Sequence, residues 1–209
     1  MNRRNKLISL IILGGFLAYA ILRYHVFKGI EWIHFPLYTL NKVLSVGGLS
    51  MLTVSGIIML KNRTSHPSFV DHTLVTLGII CILLHVLVSM MLISPTVYES
   101  LYGVDQTFNW MGELSMFFGV LGTLFIILFR ILPGLLNDEH KYQSLEKIKK
   151  SLPPGFLFFG MHVFFLGCQG WLKPSDWPGG MPPISMISFV VAVIGFIITL
   201  RLRSQTDRT

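Results

Sequence analysis

Charge is scarce in this sequence. Asp, Glu, Lys and Arg make up 13% of the 209 residues while apolar residues make up 52%, more than one soluble core of that size can hide. An ordinary soluble domain is excluded, and a polytopic membrane protein is expected. Cysteine is scarcer still: Cys81 and Cys168 both lie in apolar runs without metal-type spacing, so neither a disulfide framework nor a zinc site is indicated. Gly-rich phosphate loops and dinucleotide fingerprints are missing, and the longest connections, residues 24–37, 95–109 and 133–152, are too short for a nucleotide-binding domain. Any nicotinamide chemistry would have to come from another chain. The net charge of +7 would suit a nucleic-acid binder, but the basic residues gather in connections and tails between oily runs, so no nucleic-acid partner is expected.

What is present is a series of apolar runs. Six of them, near residues 5–23, 38–60, 72–94, 110–132, 153–172 and 183–202, reach the length of about 20 residues that a helix needs to cross the hydrocarbon core. Runs such as LGIICILLHVLVSMML lack the alternation of barrel strands, so helices are the remaining way to satisfy the backbone in lipid. The expected fold is all-α, a single domain over residues 1–209 forming a six-transmembrane-helix bundle. The opening MNRRNKLISLIILGGFLAYA has the parts of a signal peptide and is read as an uncleaved first span. Arg3, Arg4 and Lys6 precede the first run, Lys61 and Arg63 follow the second, and Arg130, Lys141, Lys147, Lys149 and Lys150 lie between the fourth and fifth. The connection SPTVYESLYGVDQTFNW has no Lys or Arg. By the positive-inside rule both termini are expected in the cytoplasm.

Seven histidines are present. His25, His34, His66 and His140 fall in connections, where a solvated or interfacial role is expected. His72 sits at the edge of the third span. His85 stands about 13 residues into the third span and His162 about 10 into the fifth, in GFLFFGMHVFFLGCQGW. Both of these helices run outward from the cytoplasm on the expected topology, so the two imidazoles reach similar depth. Ionisable residues inside spans are costly and generally face the bundle interior with a partner. Depth alone leaves three readings open: axial ligands of one haem iron, interhelical hydrogen bonds, and a proton relay. The last is the weakest, because Asp, Glu, Lys and Arg are missing from mid-span and Glu113 lies near the start of the fourth run.

Toward the extracytoplasmic side, Trp110, Trp171 and Trp177 with Tyr98 and Tyr102 read as an interfacial aromatic belt. Glu99, Asp105 and Asp176 have no spacing specific for a metal.

The third-span LGIICILLHV and the fifth-span SLEKIKKSLPPGFLFFGMHV, on a six-span chain, resemble the ferric-reductase-like transmembrane domain superfamily. In size the chain is most similar to the haem-bearing membrane subunit of the bacterial periplasmic methionine sulfoxide reductase system, which is also a bare six-span domain. The resemblance implies b-type haem held by paired histidines on these two helices, and a place in a bacterial inner (plasma) membrane. That family carries two histidines on each helix, thirteen or fourteen residues apart. His85 and His162 match the second position on each and so resemble the outer-haem pair. His72 stands at the first position of the third span, but the corresponding place on the fifth is Lys149, a cation unsuited to iron. Pro153 and Pro154 also favour a helix start near them over a helix running through Lys149. The inner site is therefore expected to be absent, with His72 interfacial.

The function expected from the resemblance is electron transfer, across or within the membrane, to an extracytoplasmic acceptor. It would use one haem b per chain, with His85 and His162 as axial ligands. A flavin or quinone would carry electrons through the inner half, supplied by a redox partner protein or separate reductase chain. Any enzymatic role would be that of an oxidoreductase subunit, and no catalytic residue is assigned. The alternative is a non-redox structural or accessory membrane subunit that retains the fold.

Overall fold

In lipid a peptide backbone has no water to bond to, so each apolar run must satisfy its own N–H and C=O groups as a helix. The computed structural model describes residues 3–62, 72–128 and 143–206. Among these residues it is all-helical, with no β-strand beyond one isolated bridge between Tyr102 and Phe108. Six long helices are present: α1 (Arg3–Ala20), α2 (Leu40–Asn62), α3 (His72–Leu92), α4 (Trp110–Ile126), α5 (Gln143–Trp171) and α6 (Ile184–Thr206). Wider π-helical turns extend α1 through Ile21–Phe27 and lead into α2 over Phe35–Thr39. α4 begins at Asn109, whose side chain accepts the Gly112 N–H at 2.9 Å, and Glu113 lies in its first turn; both complement the unpaired amides and positive end of a helix N-terminus.

Four helical stretches are long and apolar enough to cross a membrane: Arg3–Phe27, Trp32–Lys61, Thr73–Leu92 and Pro178–Ser204. They mark the chain as an integral membrane protein. The other two expected spans differ from the first four for identifiable reasons. α4 has 17 described α-helical residues, or about 25 Å at 1.5 Å per residue. The apolar run of α5 is diluted by Pro153, Pro154, His162 and Gln169. α5 also departs from the expected start near the prolines, because it continues back through both of them to Gln143. The two prolines leave the carbonyls of Lys149 and Lys150 without their usual helical donors. That loss falls inside the helix, where its charged N-terminal part meets its apolar run. His66, His140 and Arg130 lie outside the described residues.

The helices form an incomplete ring. α2 packs against α1, α3 and α6; α6 packs on α5, and α5 on α4, whereas α3 and α4 scarcely touch. α2 is the spine: 61% of its most apolar stretch is buried, against 22–28% for the other three candidate spans. Its contact with α3 is a backbone contact. A Cβ at Gly48 would lie 2.9 Å from the Gly78 carbonyl oxygen, and one at Gly78 would lie 3.0 Å from that of Gly48. Small residues are what allow membrane helices to approach so closely. The main core joins Leu49 and Leu52 of α2 to Ile82 of α3, Phe156 and Phe159 of α5, and Ala192 of α6. Leu10, Met90, Met91, Phe117 and Val190 are exposed on the outside of the bundle, as lipid-facing residues of a membrane protein should be.

One end of the bundle is tied by polar contacts. Tyr19 donates to the Pro182 carbonyl at 2.6 Å and Arg23 donates to that of Met181, which joins the end of α1 to the start of α6. Asn109 donates through its backbone N–H to the Leu101 carbonyl, and Trp171 donates to Ser185 at 3.0 Å. Lys42, at the start of α2, faces the Tyr98 ring beyond the end of α3. Consecutive helices therefore run in opposite directions, and the cation-free connection lies at this end.

Candidate functional site

Where α3 and α4 part, a cavity of about 270 Å³ opens in the bundle. Ser45 and Leu49 of α2 form its back, Gly119 and Thr123 of α4 form one wall, and Tyr98, Tyr102 and Phe108 close the end nearest the tied loops. His85 from α3 and His162 from α5 both line it, together with Phe159. The two residues singled out by depth in the sequence are thus brought to one cavity from different helices.

Their hydrogen bonds fix which ring nitrogen carries the proton. His85 Nδ1 lies 3.1 Å from the backbone carbonyl of Asn41, 2.7 Å from its side-chain Oδ1 and 3.3 Å from Ser89 Oγ. His162 Nδ1 lies 2.8 Å from the Ser115 carbonyl and 3.1 Å from its hydroxyl. A carbonyl only accepts, so Nδ1 must carry the proton in both rings. Each neutral imidazole then keeps its lone pair on Nε2. Neither Nε2 has a hydrogen-bond partner among the described residues.

The anchors are built into the neighbouring helices. Asn41 is 1% exposed; while Oδ1 accepts from His85, its Nδ2 donates to Ser89 at 2.9 Å. Ser115 is fully buried and donates its hydroxyl to the His162 carbonyl at 3.2 Å. Gly119 makes room for the second ring, since a Cβ there would stand 2.9 Å from His162 Nδ1. The sequence reading missed Asn41, Ser89, Ser115 and Gly119. The available signal was a short polar residue or a glycine within an apolar run, on a helix next to the one that carries a histidine.

His25 shows what a purely structural histidine looks like in this fold. It is buried rather than solvated or interfacial, with Nδ1 2.8 Å from the Ile30 carbonyl, Nε2 2.9 Å from Thr39 Oγ1, and its ring stacked 4.3 Å from that of Trp32. The π-helical turn that turns Arg23, Tyr24 and His25 inward accounts for the difference. His34 is exposed, as expected, and His72 is the first residue of α3. Lys149 lies within α5.

Two cavity-end groups outside the spans are electrostatically marked. Burial, reinforced by Tyr24, raises the Tyr98 phenol above its ordinary pKa, with the nearby Asn41 side chain acting the other way. Asp105 lies in the turn between Tyr102 and Phe108. The Thr107 hydroxyl at 2.8 Å and backbone N–H at 3.2 Å hold its carboxyl below the usual carboxylate value. A depressed carboxyl stabilises the fold above its unfolded pKa, and that contribution is lost as pH falls through the lower folded value. Thr107→Val should therefore raise the Asp105 pKa toward that of a free aspartate. A carboxyl NMR titration reads this directly, and an unchanged midpoint would show that the hydroxyl is not responsible.

Two nitrogen donors alone make a poor cage for a bare metal ion, and the described residues hold no group of three His, Cys, Asp or Glu that could complete one. A metal that arrives with a planar ring of its own donors needs only two axial ligands. The two Nε2 atoms without hydrogen-bond partners, beside one apolar-walled cavity, are donors of the type such a group takes. No protein-family model matches the chain, and no curated protein matches it.

Proposed function

We propose that this chain is a b-type haem integral membrane protein of the ferric-reductase-like type, with six spans and both termini in the cytoplasm. His85 and His162 would hold one haem through Nε2, for electron transfer to an acceptor outside the cytoplasm. The observation that carries the reading is the pair of imidazoles on α3 and α5, each held by a carbonyl at Nδ1 and each free at Nε2 beside one cavity. When bound, the haem would supply a one-electron iron couple with both axial positions filled, which favours electron transfer over oxygen binding.

The chain's own residues do the rest. Asn41 and Ser115 set the tautomer and orientation of the two rings, as outer partners of metal-bound histidines generally do. Leu49, Phe159 and Val163 keep the cavity apolar, which limits access of water. A redox partner or separate reductase chain, with flavin or quinone, would deliver electrons on the cytoplasmic side. A bacterial inner membrane is the proposed location.

The same hydrogen bonds favour a second reading, a structural or accessory subunit, because each histidine also ties two helices together. An oxidised-minus-reduced absorption spectrum of the detergent-purified chain, with pyridine haemochrome quantitation, separates the two. The haem reading expects about one haem b per chain, as one ligand pair implies. A folded chain without Soret absorbance would leave the histidines as packing residues.

A further inference from the structure

Three cations gather at the end of the bundle where the sequence otherwise has few. Arg23 is 6% exposed; its guanidinium donates to the Met181 carbonyl, while its buried Nε has no partner. The Lys42 ammonium lies 4.0 Å from the centre of the Tyr38 ring, 5.4 Å from that of Tyr24 and 5.8 Å from that of Tyr98. Arg23 Cζ is 5.6 Å from the same Tyr24 ring, so two positive charges lie beside one aromatic ring. The charged groups that act on Lys42 are Lys28 and Arg23, both positive. Glu31 and Glu99, the acidic residues of the adjoining loops, are exposed. Tyrosine faces attract a cation, but they do not neutralise it. A buried, unpaired guanidinium nitrogen is costly unless something accepts its hydrogen bond.

We propose that Arg23 and Lys42 form an oxyanion site, in which a carboxylate or phosphate group is bound between the guanidinium and the ammonium beside Tyr24. A planar Arg with a donor to spare and a Lys acting as a point charge are the complementary pair for such a group. Tyr98 connects the site to the cavity, because its ring lines the cavity and also faces Lys42. The oxyanion therefore has two possible sources. One is a carboxylate on a cofactor in the cavity, a source that rests on the proposed haem. The other is the phosphate of a membrane lipid, a source that does not.

The test uses the full-length chain purified in detergent with phosphatidylglycerol as the probe. Native mass spectrometry counts retained lipid, and haem content with its midpoint potential is read in parallel. Arg23→Gln and Lys42→Met are compared with wild type, with Lys42→Arg as the conservative control. Lys42→Met breaks no hydrogen bond seen in the fold, so it keeps the test open if Arg23→Gln does not fold. A loss of lipid occupancy of about tenfold in Lys42→Met, restored in Lys42→Arg, supports a phosphate and holds even if the wild-type chain carries no haem. Unchanged lipid with weakened haem retention or a shifted potential supports the cofactor carboxylate. If Lys42→Met melts like wild type and changes neither lipid occupancy nor haem, the site is overturned.

Discussion

Alanine at either His85 or His162 is expected to remove at least nine-tenths of the haem carried by the wild-type chain, while His72→Ala retains most of it. On the proposed haem reading, each single change would leave the iron with one axial nitrogen, and it leaves an anchoring carbonyl, on Asn41 or Ser115, without its donor. Outer partners of metal-bound histidines are typically worth about 10–100-fold in affinity, so loss of the ligand itself should exceed that range. Asn41→Leu should fall between the extremes. It removes the 2.7 Å acceptor from His85 but leaves the backbone carbonyl of the same residue at 3.1 Å. Pyridine haemochrome per chain provides the measurement. Full haem in both single alanine variants would end the assignment.

Gly48→Val should be strongly destabilising although it touches neither histidine. The added Cβ would meet the Gly78 carbonyl oxygen at 2.9 Å and Ile82 Cγ1 at 2.8 Å. A side-chain tip can swing aside, but the peptide oxygen of a packed helix can move only with its helix. Overpacking commonly costs about 1–3 kcal/mol, and the backbone contact places this case near about 3 kcal/mol. Reversible unfolding in mixed micelles would measure it. Gly14→Val serves as the control, since nothing stands within 4 Å of a Cβ there. If Gly48→Val were no worse than Gly14→Val, the close approach of α2 and α3 would not matter to stability.

The parts of the fold that could be read from sequence were those set by continuous apolar length. α6 begins one residue after the start of the expected sixth span, and α3 ends at Leu92, two residues before the end of the expected third. α5 was less legible, because Pro153 and Pro154 suggest a helix start, whereas the helix runs through both, about three turns after Gln143. The histidines stood out because an imidazole in an apolar run is conspicuous. Their anchors did not: Asn41 and Ser115 lie close to helix starts, where a short polar side chain ordinarily faces the membrane surface. Nor could spacing reveal that Lys42, besides the Tyr38 ring one turn back, meets the rings of Tyr24 and Tyr98 from other parts of the chain.

The open seam between α3 and α4 gives the bundle the mechanics of a hinged book. α1, α2 and α3 form one cover and α4 and α5 the other, with α6 packed against both α2 and α5 as the binding between them. His85 belongs to the first cover and His162 to the second. A ligand gripped by both would act as a clasp, and its affinity would register far from the imidazoles, as resistance to the covers parting. Because a ligand that binds only the folded form raises stability by RT ln(1 + L/Kd), where L is the free ligand concentration, the melting temperature of the whole chain becomes a gauge of whether the clasp is closed.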